Sequence, residues 1–546
     1  MAIFAVDKGR LLVRNASEQL WIEAWGNGLR VRASHERAMP ASSGALEGEP
    51  RDAVVELHAA RDEVGSPPSR ESETLRAIVR NGAIEARVAE SGRIAFYNAC
   101  GKCLLEEFVR AQTPPRKGLQ RIFAREFRSI SASGACRTAQ RFESDPSERL
   151  YGMGQYQQSL LNLKGCELEL VQRNSQTTVP FVVSSLGYGF LWNNPAQGSV
   201  VFGANLTTWR SDAADCIDYW IVAGDTPAAI LAAYGEIAGR PPAMPEWALG
   251  FWQSKCRYRT QNELLGVARR YRELGIPLSA IVVDYFHWLF EGDLDFDRTY
   301  WPDPKAMVDE LRAQGVEPVV SVWPTVDLRS RHYGAMKERG FLARAQRGPD
   351  EGLGCGARTQ NVDVTNPEAR AYVWSNIRKT YRAYGFRSFW LDLAEPETAT
   401  PDPDNFLYAS GAAAQVGNRY PLDYVRMFHD NLRDEGETQI ALLVRSAWAS
   451  SQKYAALLWS GDIPSTFWSL RNQISIGLSA GMAGIPWWNC DVGGFFDADA
   501  NDPAFREILA RWFAFCTFTP VLRLHGSRDP QQPGPGTVGG GLCGSG

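Results

Sequence analysis

Seven residues stand at the ends of short apolar runs in the second half of the chain. Asp284 ends SAIVVD, Trp323 ends PVVSVW, and Asp392 lies at the end of RSFWLD. Arg445 lies in IALLVR, Asp462 follows LLWSG, Asp491 follows IPWWNC, and His525 lies in PVLRLH. One such residue is ordinarily a helix cap or half of a salt bridge. Seven in corresponding positions are hard to explain by packing, and they point to one shared site. Two carboxylates can break a glycosidic bond without a cofactor. One attacks or stabilises the oxocarbenium-like centre, and the other protonates the leaving oxygen. Arg445 and His525 can donate to sugar hydroxyls, and tryptophans can wall a flat apolar ring face. Asp462 has a competing role as cap of the helix that follows it, but Ser465 and Thr466 stand nearer the helix start and suit that cap better.

Other chemistries lack their motifs. Histidine is scarce, at six, and neither H-E-x-x-H nor a paired-histidine spacing occurs, so no metal is expected. There is no G-x-S-x-G elbow, no phosphate-binding loop and no G-x-G-x-x-G after a strand, so no cofactor is expected either. Cys100 and Cys103 form the one C-x-x-C among ten cysteines, and reduced thiols are expected. Lys and Arg total 58 against 62 Asp and Glu, a balance with no basic excess for nucleic acid or an anionic membrane. No apolar run approaches a transmembrane length. Asp7, Lys8 and Arg10 interrupt the stretch where a signal peptide needs its apolar core, so a cytoplasmic location is expected. Of 18 tryptophans, 13 lie at or after Trp247, so any aromatic-walled cleft belongs to the second half.

The elements that must position these residues follow from periodicity. After Pro241, Pro242 and Pro245, eight strand-like runs alternate with amphipathic stretches such as NELLGVARRYRELG and PLDYVRMFHDNLRDEG. Several stretches end in Gly before the next apolar run, a helix C-cap pattern. Eight strands with intervening helices predict a (β/α)8 barrel over 246–529. Residues 1–245 carry short alternating runs broken by turn residues, which predicts a β-sandwich. The stretch from Pro40 to Ser72 reads as a polar loop. Residues 530–546 hold seven Gly and three Pro, a composition for neither helix nor core.

Several blocks together resemble glycoside hydrolase family 31, the α-glucosidase and α-xylosidase family. They are YGMGQ at 151–155, GFWQSKCRY at 250–258, FWLDLAEPE at 389–397, VRSAWASSQKY at 444–454, WSGDI at 459–463, DVGGF at 491–495 and RLHG at 523–526. The resemblance implies a galactose-mutarotase-like sandwich followed by the catalytic barrel. It also implies a retaining mechanism at a non-reducing-end α-linked sugar. Asp392 matches the nucleophile and Asp462 the acid/base. Asp284, Trp323, Arg445, Trp459, Asp491, Phe495 and His525 match positions lining the sugar subsite, and Glu395 a supporting carboxylate. Tyr285 and Phe286 follow Asp284 where family α-glucosidases tend to carry smaller residues. Strand alternation lets one of the two face the site. This favours xylose, and an α-xyloside over an α-glucoside or α-galactoside as substrate. The family usually continues beyond RLHG, so the chain reads as a C-terminally truncated member, with a barrel incomplete at that end. An inactive sugar-binding fragment is the alternative. A homo-oligomer stays open.

Overall fold

The computed structural model describes residues 2–527, apart from residues 16, 42–43, 59–73, 111–121, 131–132, 351, 357, 399–401 and 497. The first 223 residues are built of antiparallel strands. Eight form a sheet in the order Ile3–Asp7, Arg10–Asn15, Glu18–Trp25, Gly28–His35, Ile217–Ala223, Tyr188–Trp192, Thr177–Ser184 and Leu150–Gln155. Two five-stranded sheets lie against it, one running from Val54–Leu57 to Cys103–Glu106, the other including Cys136–Glu143 and Leu206–Ala214. Strand Ile84–Ala89 buries every second residue, the period-two pattern of a half-covered strand. Leu11, Val31 and Tyr219 of the large sheet share one core with Val79, Phe96, Phe142 and Trp209 of the smaller ones. This sandwich-like arrangement agrees with the periodicity. The polar stretch from Pro40 to Ser72 is not wholly loop, because Val54–Leu57 is a strand within it.

The second half supplies eight parallel strands: β1 (Phe251–Gln253), β2 (Ala280–Val283), β3 (Glu317–Val322), β4 (Ser388–Leu391), β5 (Leu442–Val444), β6 (Ala456–Trp459), β7 (Trp488–Asn489) and β8 (Leu522–Leu524). They pair in chain order, and β8 pairs back onto β1 with Phe251 opposite Leu522. A parallel bridge between Val492 and Leu524 joins the β7 side to β8, so the barrel is nearly closed. Each run expected as a strand takes its place here. The Gly/Pro tail lies outside the described residues, as does any helix beyond Ser527.

Helices separate most of the strands: α1 (Gln261–Glu273), α2 (Pro304–Ala313), α3 (Pro367–Ile377), α4 (Tyr420–Asp434), α5 (Phe467–Met482) and α6 (Pro503–Cys516). Their starts follow from sequence. Thr260, Asp303, Asn366, Thr466 and Asp502 each accept a first-turn N–H, and prolines open α2, α3 and α6. Thr466, not Asp462, caps α5, with Ser469 N at 3.1 Å. Between β5 and β6 the connection holds a short 3-10 turn, Ser451–Tyr454, in place of an α-helix. Strands β2 to β7 are buried on both faces, as a parallel barrel requires, and β1 and β8 are partly exposed. Phe181, Leu191 and Trp220 of the large sheet pack into the barrel's own cluster, with Phe181 stacked on Tyr234 at 3.9 Å. No helix among the described residues is long and apolar enough to cross a membrane. Cys100 and Cys103 of the C-x-x-C are reduced thiols, as are Cys136, Cys166, Cys216, Cys256, Cys490 and Cys516.

Candidate active site

Parallel strands deliver their C-terminal ends to one rim of the barrel. Asp284 follows β2, Trp323 follows β3, Asp392 follows β4, Arg445 follows β5 and Trp459 ends β6. Asp462, Asp491 and His525 stand within three residues of the ends of β6, β7 and β8. The backbone fixes two of the carboxylates by local hydrogen bonds. Tyr285 N donates to Asp284 Oδ1 at 2.7 Å, and Leu393 N donates to Asp392 Oδ1 at 2.9 Å. Leu393 and Phe286 have φ of 54° and 56°, left-handed values that cost energy in residues with a Cβ and that cluster at functional sites.

Arg445 is the hub. Its Nη1 lies 3.3 Å from Asp392 Oδ1 and 3.6 Å from Asp462 Oδ2. Its Nε and Nη2 grip Glu395 at 2.8 and 3.0 Å, and Nη2 also holds Glu397. The bidentate grip fixes the guanidinium plane, so Nη1 reaches Asp392 and Asp462 at set positions. Burial pushes the Asp392 carboxyl up to about 7, Asp462 and Glu395 push the same way, and Arg445 opposes them. Burial also raises Asp462, against Arg445 and an amide of Asn174. Asp284 is also raised, by burial first, with Asp392 and Asp462 adding to it. Carboxyls displaced from their ordinary range by burial and by one another, in a cleft, mark a candidate catalytic site.

The remaining expected residues separate into wall and floor. Tyr285 stacks on Trp323 at 5.1 Å, and Phe286 lies 6.4 Å from the same ring. Both pack on the cluster of Trp288, Trp323 and Leu393. The expected alternation fails here because β2 ends at Val283 and the positive φ of Phe286 turns the chain, so both rings join one wall. On the floor, Arg523 pairs with Asp491 and lies over the rings of Trp390 and Trp459 at 5.3 and 5.4 Å. His525 sits 3.9 Å from Asp284 and stacks on Phe495 at 5.4 Å. Ser254 Oγ, after β1, bonds to His525 Nδ1 at 2.7 Å. All twelve expected residues therefore belong to one constellation.

The sandwich contributes residues that strand-end reasoning missed. Between Glu167–Leu170 and Thr177–Ser184, Arg173 and Gln176 exchange backbone hydrogen bonds around the two-residue tip Asn174-Ser175. Asn174 Nδ2 donates to Asp462 Oδ2 at 2.8 Å, and Asp462 N donates to Asn174 Oδ1 at 3.1 Å. Gln157 bridges the tip to the barrel, donating to Ser175 O and Ser460 O at 3.0 and 3.1 Å. The turn-prone Asn-Ser between two apolar runs signals a hairpin, but nothing local signals a partner 288 positions away. Beside this tip a cleft of about 700 Å³ opens, lined by Gln172, Arg173, Asn174, Glu397, Asp402 and Phe406 among others.

Comparison with known proteins identifies relatives of the whole chain. The sequence pattern of the "Glycosyl hydrolases family 31 TIM-barrel domain" matches residues 241–539. An "uncharacterized family 31 glucosidase ORF2" of Pseudescherichia vulneris is 47% identical over 524 residues, 94% of this chain and 96% of that protein. An α-xylosidase of Saccharolobus solfataricus is 36% identical over 411 residues, 72% of this chain but 54% of the relative, so the chain spans about half of that protein. The crystal structure of a family 31 α-xylosidase from a soil metagenome, complexed with xylose, superposes with a TM-score of 0.91 at 46% identity. That match covers 97% of this chain and 78% of the other. With its carboxylates gathered at the barrel rim and these relatives across both halves, the chain belongs to glycosyl hydrolase family 31, enzymes that act on O-glycosyl bonds.

Proposed function

We propose that the chain is a retaining, exo-acting α-xylosidase. Asp392 Oδ2 accepts no hydrogen bond among the described residues, whereas Oδ1 is held by Leu393 N and Arg445. Oδ2 attacks the anomeric carbon. The bond to the aglycone oxygen breaks, and Asp462 gives that oxygen its proton. A covalent xylosyl-enzyme results. Asp462, now a carboxylate, deprotonates a water that attacks the same carbon, and Asp392 departs, leaving the α-anomer. Both carboxylates touch Nη1 of Arg445, so the two oxygens lie within about 7 Å, which suits the ~5–5.5 Å of a retaining pair better than the wider inverting range. Asp284, Asp491 and His525 are buried, which supports a pocket closed beyond one terminal sugar. The cleft beside Asn174 gives the aglycone its exit.

The stacked wall of Tyr285 and Trp323 carries the choice of sugar, because it fills space that a C6 hydroxymethyl group needs. The name of the 47% identical relative favours a second reading, an α-glucosidase. A panel of aryl α-xyloside, α-glucoside and α-galactoside decides between them. The α-xyloside is expected to have the highest kcat/KM, by about tenfold or more over the glucoside. A higher value for the glucoside overturns the substrate assignment. Proton NMR of the first-formed sugar is expected to show the α-anomer.

A further inference from the structure

The acid/base carboxylate is held by a residue of the β-sandwich. We infer that Asn174, at the tip of the sandwich hairpin, is a positioning residue that commits Asp462 to donating and accepting its proton through Oδ1. This rests on the reading of Asp462 as acid/base.

The contact is two-sided. The Asn174 amide donates to Oδ2, while its carbonyl oxygen accepts the backbone N–H of Asp462 itself. One planar group thereby fixes both the main chain and the side chain of the acid/base, and the amide orientation is set because the backbone N–H demands an acceptor. Arg445 Nη1 lies on the same side, 3.6 Å from Oδ2. Oδ1 receives no hydrogen bond among the described residues. The amide N–H takes one lone pair of Oδ2 and the Arg445 cation stands near the same oxygen, so Oδ2 is the poorer place for a proton and the protonated state carries it on Oδ1. The ionised state keeps Oδ1 free to take a proton from water.

The tip is rigid enough for the task. It is a two-residue turn closed by the reciprocal Arg173 and Gln176 bonds, with Ser175 at φ 62°. Gln157 ties it to the strand end that carries Asp462. Gln155 Nε2 donates to Trp459 O at 3.0 Å, and Thr177 Oγ1 to Arg445 O at 3.3 Å. Ser446 Oγ donates to Gln172 Oε1 at 3.0 Å. The approach leaves no slack, since a Cβ at Gly461 would lie 2.7 Å from Asn174 Oδ1. The charged and titratable groups facing Asp462 are Arg445, Arg523, Glu397, Asp392, Asp284 and Cys256. None of them hydrogen-bonds to it as Asn174 does.

The test compares wild type, Asn174→Ala and the isosteric Asn174→Asp on α-xylosides of graded leaving group. For a poor leaving group such as an alkyl α-xyloside, kcat/KM of Asn174→Ala is expected to fall about tenfold or more, because proton delivery is misaimed. For a dinitrophenyl α-xyloside the fall is expected to stay within about threefold, since that group leaves with little protonation. The basic limb of kcat/KM is expected to move to higher pH, because a donor to the carboxylate has been removed, and further in Asn174→Asp, where a second carboxylate replaces it. Equal losses on every leaving group with an unmoved basic limb, or no loss, overturn the inference. Should Asn174→Ala fail to fold, Asn174→Asp alone carries the test through its basic limb. A wild type without α-xyloside turnover that hydrolyses another α-glycoside contradicts the substrate reading and leaves the same test to run on that substrate.

Discussion

Asp392 is 7% exposed and its carboxyl is pushed up to about 7, so the group proposed as nucleophile is kept protonated well above the ordinary carboxylate range. The acidic limb of kcat/KM is therefore expected near pH 7 rather than near 4, as a property of the coupled carboxyls. The same shift bears on stability. A folded value above the unfolded one, about 3.9, means the native state binds the proton more tightly. That contribution is present in full below about pH 4 and is lost as pH rises through about 7. Asp392→Asn removes the buried charge while keeping the Leu393 hydrogen bond. At pH 8 its melting temperature is expected to exceed wild type by a few degrees, with little difference at pH 4, and turnover is expected to fall by several orders of magnitude. Melting curves at the two pH values check this. Asp462→Ala should behave otherwise, losing far more kcat/KM on poor leaving groups than on activated aryl ones. Opening the wall with Tyr285→Ala is expected to raise the α-glucoside to α-xyloside ratio of kcat/KM by about tenfold, since an apolar pocket discriminates a missing or extra group by about 1–3 kcal/mol.

At the scale of elements, the strand-end aspartates were legible because each closes an apolar run, and the parallel barrel converts that local fact into one rim. The roles of Arg523 and Glu397 were not legible. Arg523 sits inside a strand, where a sequence gives no reason to bury a charge, and its pairing with Asp491 appears only once β7 and β8 are neighbours. The hairpin tip was still less legible, because its contact joins the sandwich to the barrel across 288 positions of sequence. Gly461 lies at the junction, at φ 79° and against Ser175 and Asn174. Gly461→Ala meets both a strained backbone and an occupied space. It is expected to cut kcat/KM on poor leaving groups at least as much as Asn174→Ala and to lower the melting temperature, measured on the same preparation. Thr466, by contrast, only starts α5. Thr466→Ala is expected to cost about 1 kcal/mol of stability, read from denaturant titration, with kcat/KM unchanged.

For the whole molecule, the alternation of strand and helix was enough to give the barrel, and short alternating strands the sandwich. How the two halves join was not in the periodicity, because a face buried against another domain has the same pattern as one buried in its own core. Trp25, Phe181, Leu191 and Trp220 of the large sheet share one cluster with the barrel, so neither half buries its apolar surface alone. The full chain is expected to melt in one transition, and a barrel lacking residues 1–240 to be poorly soluble and inactive. The reading of a xylosyl-enzyme on Asp392 is met most directly by trapping it. The protein is incubated with 5-fluoro-α-xylosyl fluoride, digested, and its peptides weighed. One fluoroxylosyl adduct is expected, on the peptide containing Asp392, appearing in step with loss of activity. An adduct on Asp462, or inactivation with Asp392 unmodified, would contradict it.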